Sequence, residues 1–258
     1  MKISIKQLNE IIKESIIRQI NEAQVKIDNF DKLAKLMQFN TNDDFYFVQI
    51  IKRWKDNPDY AAKEQGQKDG IYHGGAWYLK SFRIHNVQEL MDLKPQIIKL
   101  CEENNARAYI TVNTRSETET DNYVHIYRQK YDPSDARYQH AEEIVAGQAK
   151  EGANWRNERL RLFLDIDCKQ DTTINGINVW NEVHRMLNNY NIKVLDEYET
   201  PSGGLHIILS NKNNRNLIPF KKECEKFDHF KNLGRKALVH ANEDGKLILY
   251  SNVITNGY

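Results

Sequence analysis

The hydrophobic positions of this chain follow two periods, and each predicts its own kind of element. Strict apolar–polar alternation, the mark of a half-buried strand, runs through residues 107–113, where Ala108, Ile110 and Val112 share a face. It returns at 160–167, with Leu160, Leu162, Leu164 and Ile166 on one face and Arg161, Phe163, Asp165 and Asp167 on the other. At 205–210, Leu205, Ile207 and Leu209 turn away from His206. Residues 76–84, 193–199 and 246–253 read as further strands. Helical spacing marks 31–39 and 45–55, the second on Phe47, Val48, Ile51 and Trp54. It marks a helix capped by Asn86 and interrupted at Pro95, then 141–150, 178–190 and 220–236.

This pattern predicts an α+β fold. From residue 160 the order is strand, helix, strand, strand, helix, strand, closing on 246–253, which is the split βαβ plan. In that plan the helices cover one sheet face and leave the other open. Residues 23–75 read as a helical region ahead of a main domain at 76–258. Residues 1–22 form a unit of their own, an amphipathic helix with Ile5, Leu8, Ile12, Ile16 and Ile20 in one stripe.

Composition narrows the function classes. A net charge of +1 with 28% charged residues gives no global basic field, so any nucleic-acid contact has to come from local patches. The cysteines, Cys101, Cys168 and Cys224, are odd in number and lack Cys-x-x-Cys spacing, which supports neither a disulfide framework nor a zinc knuckle and fits a reducing cytoplasm. No apolar run approaches the ~20 residues a membrane helix needs, so no membrane partner is expected. Tyr123, Tyr127, Arg128, Lys130 and Tyr131 are interleaved at 116–135, suiting either an inserted structural segment or a surface on which single-stranded bases stack.

The chemistry concentrates between residues 160 and 210. Asp165 and Asp167 sit side by side on one strand face, and two such carboxylates repel unless a cation lies between them. Oxygen donors favour Mg²⁺ or Mn²⁺. Thr200-Pro201-Ser202-Gly203-Gly204 is a turn by composition. Gly203 and Gly204 lack Cβ, so their amides can approach a phosphate. In a hairpin returning beside the aspartates, His206 faces the same surface. Arg107, Arg115 and Arg161 offer phosphate contacts from polar strand faces or their ends.

Asp-Ile-Asp followed by Thr-Pro-Ser-Gly-Gly-Leu-His resembles the first two motifs of the archaeo-eukaryotic primase superfamily, especially its primase-polymerase branch in phages and plasmids. The resemblance runs from residue 107 to the C-terminus. It implies an RRM-like (ferredoxin-like) catalytic sheet within a primase-polymerase-like domain, and a nucleotidyltransferase that makes or extends primers from nucleoside triphosphates. It implies that Asp165 and Asp167 bind Mg²⁺ or Mn²⁺, and that Ser202 and His206 contact the phosphates of the incoming nucleotide. A single-stranded DNA template and a replicative helicase are the implied partners. The third motif, a hydrophobic residue followed by Asp on a late strand, is matched less closely. Leu238-Val239-His240 is followed by Ala-Asn-Glu-Asp, so Asp244 is a displaced candidate for the third metal ligand, Glu199 is another, and His240 stands where an acid is expected. The alternative is a degenerate primase fold that binds nucleotide or single strand without chemistry. Ile20-Asn21-Glu22-Ala23 resembles the end of a capsid-targeting segment of large tailed phages, which implies cleavage after Glu22 and packaging in a virion.

Overall fold

The segment DFYFVQIIKR carries apolar side chains at both odd and even positions, and eight of its ten residues are buried. A strand enclosed on both faces accommodates such a run. In the computed structural model it is the second strand of a mixed assembly of helices and antiparallel strands, an α+β fold. The structure describes residues 22–53, 56–57, 72–73, 76–148, 161–200, 203–210, 214–227, 238–242 and 245–256. The N-terminal stripe, with the segment ahead of Glu22, lies outside them.

The elements run β1 (Glu22–Asp28), α1 (Phe30–Ala34), β2 (Asp44–Arg53), β3 (Tyr72–His73), β4 (Ala76–Ile84), α2 (Val87–Asn104), β5 (Arg107–Thr111), β6 (Arg115–Ser116), α3 (Glu117–Arg128), α4 (Ala136–Gln139) and α5 (Ala141–Gln148). Then come β7 (Arg161–Ile166), β8 (Thr173–Ile174), β9 (Ile177–Asn178), α6 (Val179–Asn189), β10 (Val194–Glu199), β11 (Leu205–Ser210), α7 (Asn214–Phe227), β12 (Val239–Asn242) and β13 (Lys246–Asn256). The larger sheet has the order β1-β13-β5-β2-β4-β3, with β6 pairing β2, and the smaller one has the order β10-β11-β7-β12. Among the described residues no helix is long and apolar enough to cross a membrane.

Several elements depart from the sequence reading. Residues 45–55 are not a helix: Phe45, Phe47, Val48 and Ile50 are fully buried in β2, between β5 and β4. The expected helical region ahead of residue 76 is likewise mostly strand where it is described, with only the short α1 between β1 and β2. Pro95 does not break α2. It lies on the exposed side of the helix, where water can take the carbonyl that its ring leaves unbonded. The segment from residue 116 opens with a helix, because the Ser116 hydroxyl accepts from the Glu119 amide at 3.1 Å and caps α3. The fourth strand of the smaller sheet is β12. Residues 246–256, expected in that role, cross instead into the larger sheet between β1 and β5.

The smaller sheet is sandwiched. Leu162, Leu164 and Ile166 pack with Val183, Met186, Leu187, Phe220 and Cys224 of the two helices behind it. The opposite face is not open along its length as expected. Phe163, Tyr198 and Ile208 share a core with Tyr46, Val112 and Leu247 of the larger sheet and its flank. Gly245 marks the closest approach: a Cβ there would stand 2.1 Å from the Phe163 ring. Beside it, the Asn113 side chain accepts from the Arg161 amide at 2.8 Å and donates to the Arg161 carbonyl at 3.0 Å. One amide side chain therefore stands in for a strand partner and fixes where β7 starts relative to the end of β5.

A titratable contact ties α6 to β10. His184 Nδ1 lies 2.8 Å from the Trp180 carbonyl and Nε2 lies 2.8 Å from Glu197 Oε1. Both partners only accept, so the ring satisfies both as the imidazolium. Burial alone would lower the His184 pKa, but the two hydrogen bonds and the Glu197 charge outweigh it and raise the value. A raised folded-state pKa gives stability that is complete below the unfolded value of about 6.5 and is lost as pH climbs through the folded value. His184→Gln is therefore expected to lower the melting temperature most at pH 5.5–6 and least above pH 8. Thermal unfolding of both proteins across that range measures it, and a gap that widens with pH would contradict the assignment.

Candidate active site

Register places the candidate residues before any side chain is considered. On β11 and β7, His206 is the Cα partner of Asp165. On β12, His240 is the Cα partner of the same aspartate. Opposed residues of antiparallel strands project to one face, so Asp165 has an imidazole on either side. Asp167 follows two residues later, and its amide donates to the Leu238 carbonyl at 2.8 Å, continuing the ladder past the end of β7. Its side chain therefore returns to the face of Asp165. Asp165 is partly exposed and Asp167 exposed.

The two histidines differ in how they are held. His206 Nε2 lies 3.4 Å from Asp165 Oδ1, and its ring stands edge-on to Phe163 with centroids 4.8 Å apart. His240 is exposed. The sequence reading brought Asp165, Asp167 and His206 together, and the structure does the same. It brings in His240 as well, which had been noted only as a departure from a motif.

The turn before β11 behaves differently from expectation. The Gly203 amide donates to the Thr200 carbonyl at 2.9 Å, and the Gly204 amide donates to Thr200 Oγ1 at 3.0 Å. Both amides are used inside the turn, so neither serves as a phosphate cradle. The glycines are needed for other reasons. Gly203 has φ +79°, a left-handed conformation, and a Cβ at Gly204 would stand 2.5 Å from the Ile166 carbonyl oxygen. Lys169 lies along the turn, its Cγ 3.4 Å from where a Cβ of Gly203 would be. This brings a cation next to it. Ser202 lies outside the described residues, as does Asp244.

The arginines singled out in the sequence are placed elsewhere. Arg107 is 2% exposed and its Nη2 pairs with the equally buried Asp56. Arg115 is also 2% exposed. Arg161 is buried, where its charge partly offsets the burial that raises the pKa of Tyr46 and Tyr198. All three are buried, so none presents a charge to solvent. A cation that the sequence did not single out is Arg53, at the end of β2. Its Nη1 donates to the Tyr109 hydroxyl at 3.4 Å. Burial opposes its charge, but Tyr109, Asp56 and Asp167 outweigh burial and raise its pKa. Arg53 had no local signal in the sequence, because its partner Tyr109 lies on the neighbouring strand β5.

Glu199 is excluded as a third ligand on this face. It alternates with Tyr198 and points to the helix side, lining a cleft of about 380 Å³ with Lys169, Trp180 and Gly203. Burial raises the thiol pKa of Cys168. Among the described residues no three His, Cys, Asp or Glu side chains are already gathered around one point. The donors that do share the face, two accessible carboxylates and two imidazoles, still suit a divalent cation, because the carboxylates lack any lysine or arginine at ion-pair distance among the described residues. Comparisons with models of protein families, with curated proteins and with solved structures return no match.

Proposed function

We propose that this chain is a metal-dependent nucleotidyltransferase of the primase-polymerase kind, adding nucleotides from nucleoside triphosphates to a 3′-hydroxyl on a single-stranded DNA template. One observation carries the reading: Asp165, Asp167 and His206 share one face of a four-stranded antiparallel sheet. The strands of that sheet, numbered in chain order, lie second, third, first, fourth, with helices after the first and third. This order supports reading the sheet as ferredoxin-like, or RRM-like.

Each residue has a role its surroundings permit. Asp165 and Asp167 hold Mg²⁺ or Mn²⁺, which supplies neutralisation of the triphosphate and a more acidic attacking hydroxyl. His206, fixed by Phe163 and neighbouring Asp165, orients a phosphate oxygen by donating a hydrogen bond. Arg53, whose charge Asp167 supports, replaces Arg107 and Arg161 as the positive charge that meets the remaining phosphate oxygens. A replicative helicase partner and a cytoplasmic setting, with virion packaging if residues 1–22 act as a targeting segment, belong to the same proposal.

The test is extension of a labelled primer on a single-stranded template, with Mg²⁺ or Mn²⁺ and with excess chelator. Ion-dependent product that chelator abolishes is the expected result. A second reading, binding without chemistry, is favoured by His240 standing beside Asp165 where the resemblance calls for a third acid. Triphosphate binding in a calorimeter, with no product under either ion, would decide for that reading.

A further inference from the structure

Three stretches of chain meet beyond the end of β7. The loop after that strand brings Lys169, Gln170 and Asp171, and the first turn of α6 brings Trp180. Glu199, at the end of β10, and Gly203 complete the cleft of about 380 Å³. That volume lies in the range of small-molecule sites. One wall is fixed: Trp180 is 8% exposed, and its indole N–H donates to the Cys168 carbonyl at 2.9 Å. The rim is not engaged. Lys169, Gln170, Asp171 and Glu199 are exposed, and none of their side chains makes a hydrogen bond or ion pair among the described residues. Lys169 follows Asp167 by two residues, which holds their Cα atoms within about 7 Å of each other. The cleft therefore begins beside the acids, although it is a different surface from theirs.

The rim sets the chemistry of an occupant. A carboxylate only accepts hydrogen bonds and an ammonium only donates them. A ligand matching this rim offers hydroxyl or amine donors to Asp171 and Glu199, and an oxygen or ring nitrogen to Lys169. Two carboxylates against one lysine leave an excess of negative charge, which repels a phosphate group. Trp180 supplies an apolar wall against which a flat ring can lie. A nucleoside meets each condition, with sugar hydroxyls, a planar base carrying acceptors, and no charge. We propose that this cleft holds the sugar and base of the nucleotide, with Asp171 and Glu199 accepting from hydroxyls and Lys169 donating to the base, while the phosphates stay outside it. The choice of a nucleoside among neutral ligands rests on the transferase reading of the preceding section. The unengaged rim and the fixed wall stand without it.

The test uses the full chain in chelator, with adenosine, cytidine, guanosine and uridine as the probes in a calorimeter. At least one nucleoside is expected to bind, and free ribose at least about tenfold more weakly. Asp171→Asn, Glu199→Gln and Lys169→Met should each weaken the tightest nucleoside by about tenfold, the loss of one hydrogen bond to a charged group. All three side chains are exposed, so the variants should keep the fold, which thermal unfolding checks. Asp165→Asn combined with Asp167→Asn should leave nucleoside affinity within about twofold of the wild type. Inorganic phosphate should not compete. Four results overturn the proposal: no nucleoside bound, an affinity indifferent to all three cleft variants, binding lost in the Asp165 and Asp167 double variant, or displacement by inorganic phosphate. Primer extension by a chain that binds no nucleoside overturns this inference alone. Binding that behaves as stated in a chain that makes no product sustains the cleft and removes only the transferase reading.

Discussion

Replacing Asp165 and Asp167 together by asparagine is expected to lower nucleotide incorporation by about 1000-fold or more. Ligated metal contributes several kcal/mol of charge stabilisation at a transferring phosphoryl group, and each 1.36 kcal/mol is a factor of ten in rate. The change is nearly isosteric, and Asp165 is partly exposed and Asp167 exposed, so the fold has little to lose. In chelator the double variant should melt with the wild type or slightly above it, because two neighbouring like charges have been removed. With Mn²⁺ present the wild type alone should gain stability, since the ion binds only its folded form. Steady-state extension and thermal unfolding with and without the ion measure both halves. Incorporation that persists in the double variant removes these residues from the chemistry, and a large loss of stability in chelator makes them structural.

The second large effect lies far from solvent. Arg107 and Asp56 have side chains 3% and 2% exposed and pair with each other. Breaking a buried pair by removing one partner leaves an uncompensated charge and costs about 3–5 kcal/mol. For a chain of 258 residues that lowers the melting temperature by roughly 10 °C. Arg107→Met and Asp56→Ala should each show the loss. The double variant should recover part of it, since replacing both members of a buried pair is often near neutral. Urea denaturation of the four proteins gives the coupling. An Arg107→Met chain of normal stability but raised nucleotide KM would instead restore this arginine to phosphate binding.

The contrast between these two pairs shows what the sequence carries. Alternation in β7 and β11 separated Leu162, Leu164 and Ile166 from Asp165 and His206 correctly, because each strand has one apolar and one polar face. The same alternation placed Arg107 and Arg161 on polar faces, again correctly. It could not show that both arginines are buried, since that depends on long-range packing. β2 was unreadable for a related reason: with both faces buried, its apolar spacing matches a helix as well as a strand. The Gly203-Gly204 pair announced a turn, but the use of its amides is decided by Thr200. Arg53 and His240 are isolated residues in the chain. Only long-range pairing, with Tyr109 of β5 for one and across β12 for the other, gives them neighbours. The fourth strand of the smaller sheet was assigned to the long apolar run at 246–253, while the four-residue β12 did the pairing.

The crossing of β13 into the larger sheet has a bearing on how this protein can be divided. The chain completes one sheet at Asn242 and by Lys246 is already threading the interior of the other, with β1 along one edge and β5 along the other. A fragment starting at β7 would keep every acid and imidazole yet drag along an eleven-residue ribbon stripped of both companions. Bare strand edges of that length recruit further copies of themselves. The half that carries Asp165, Asp167 and His206 is therefore not a portable cassette: a shortened version has to end before Gly245 or bring the β1 and β5 segments with it.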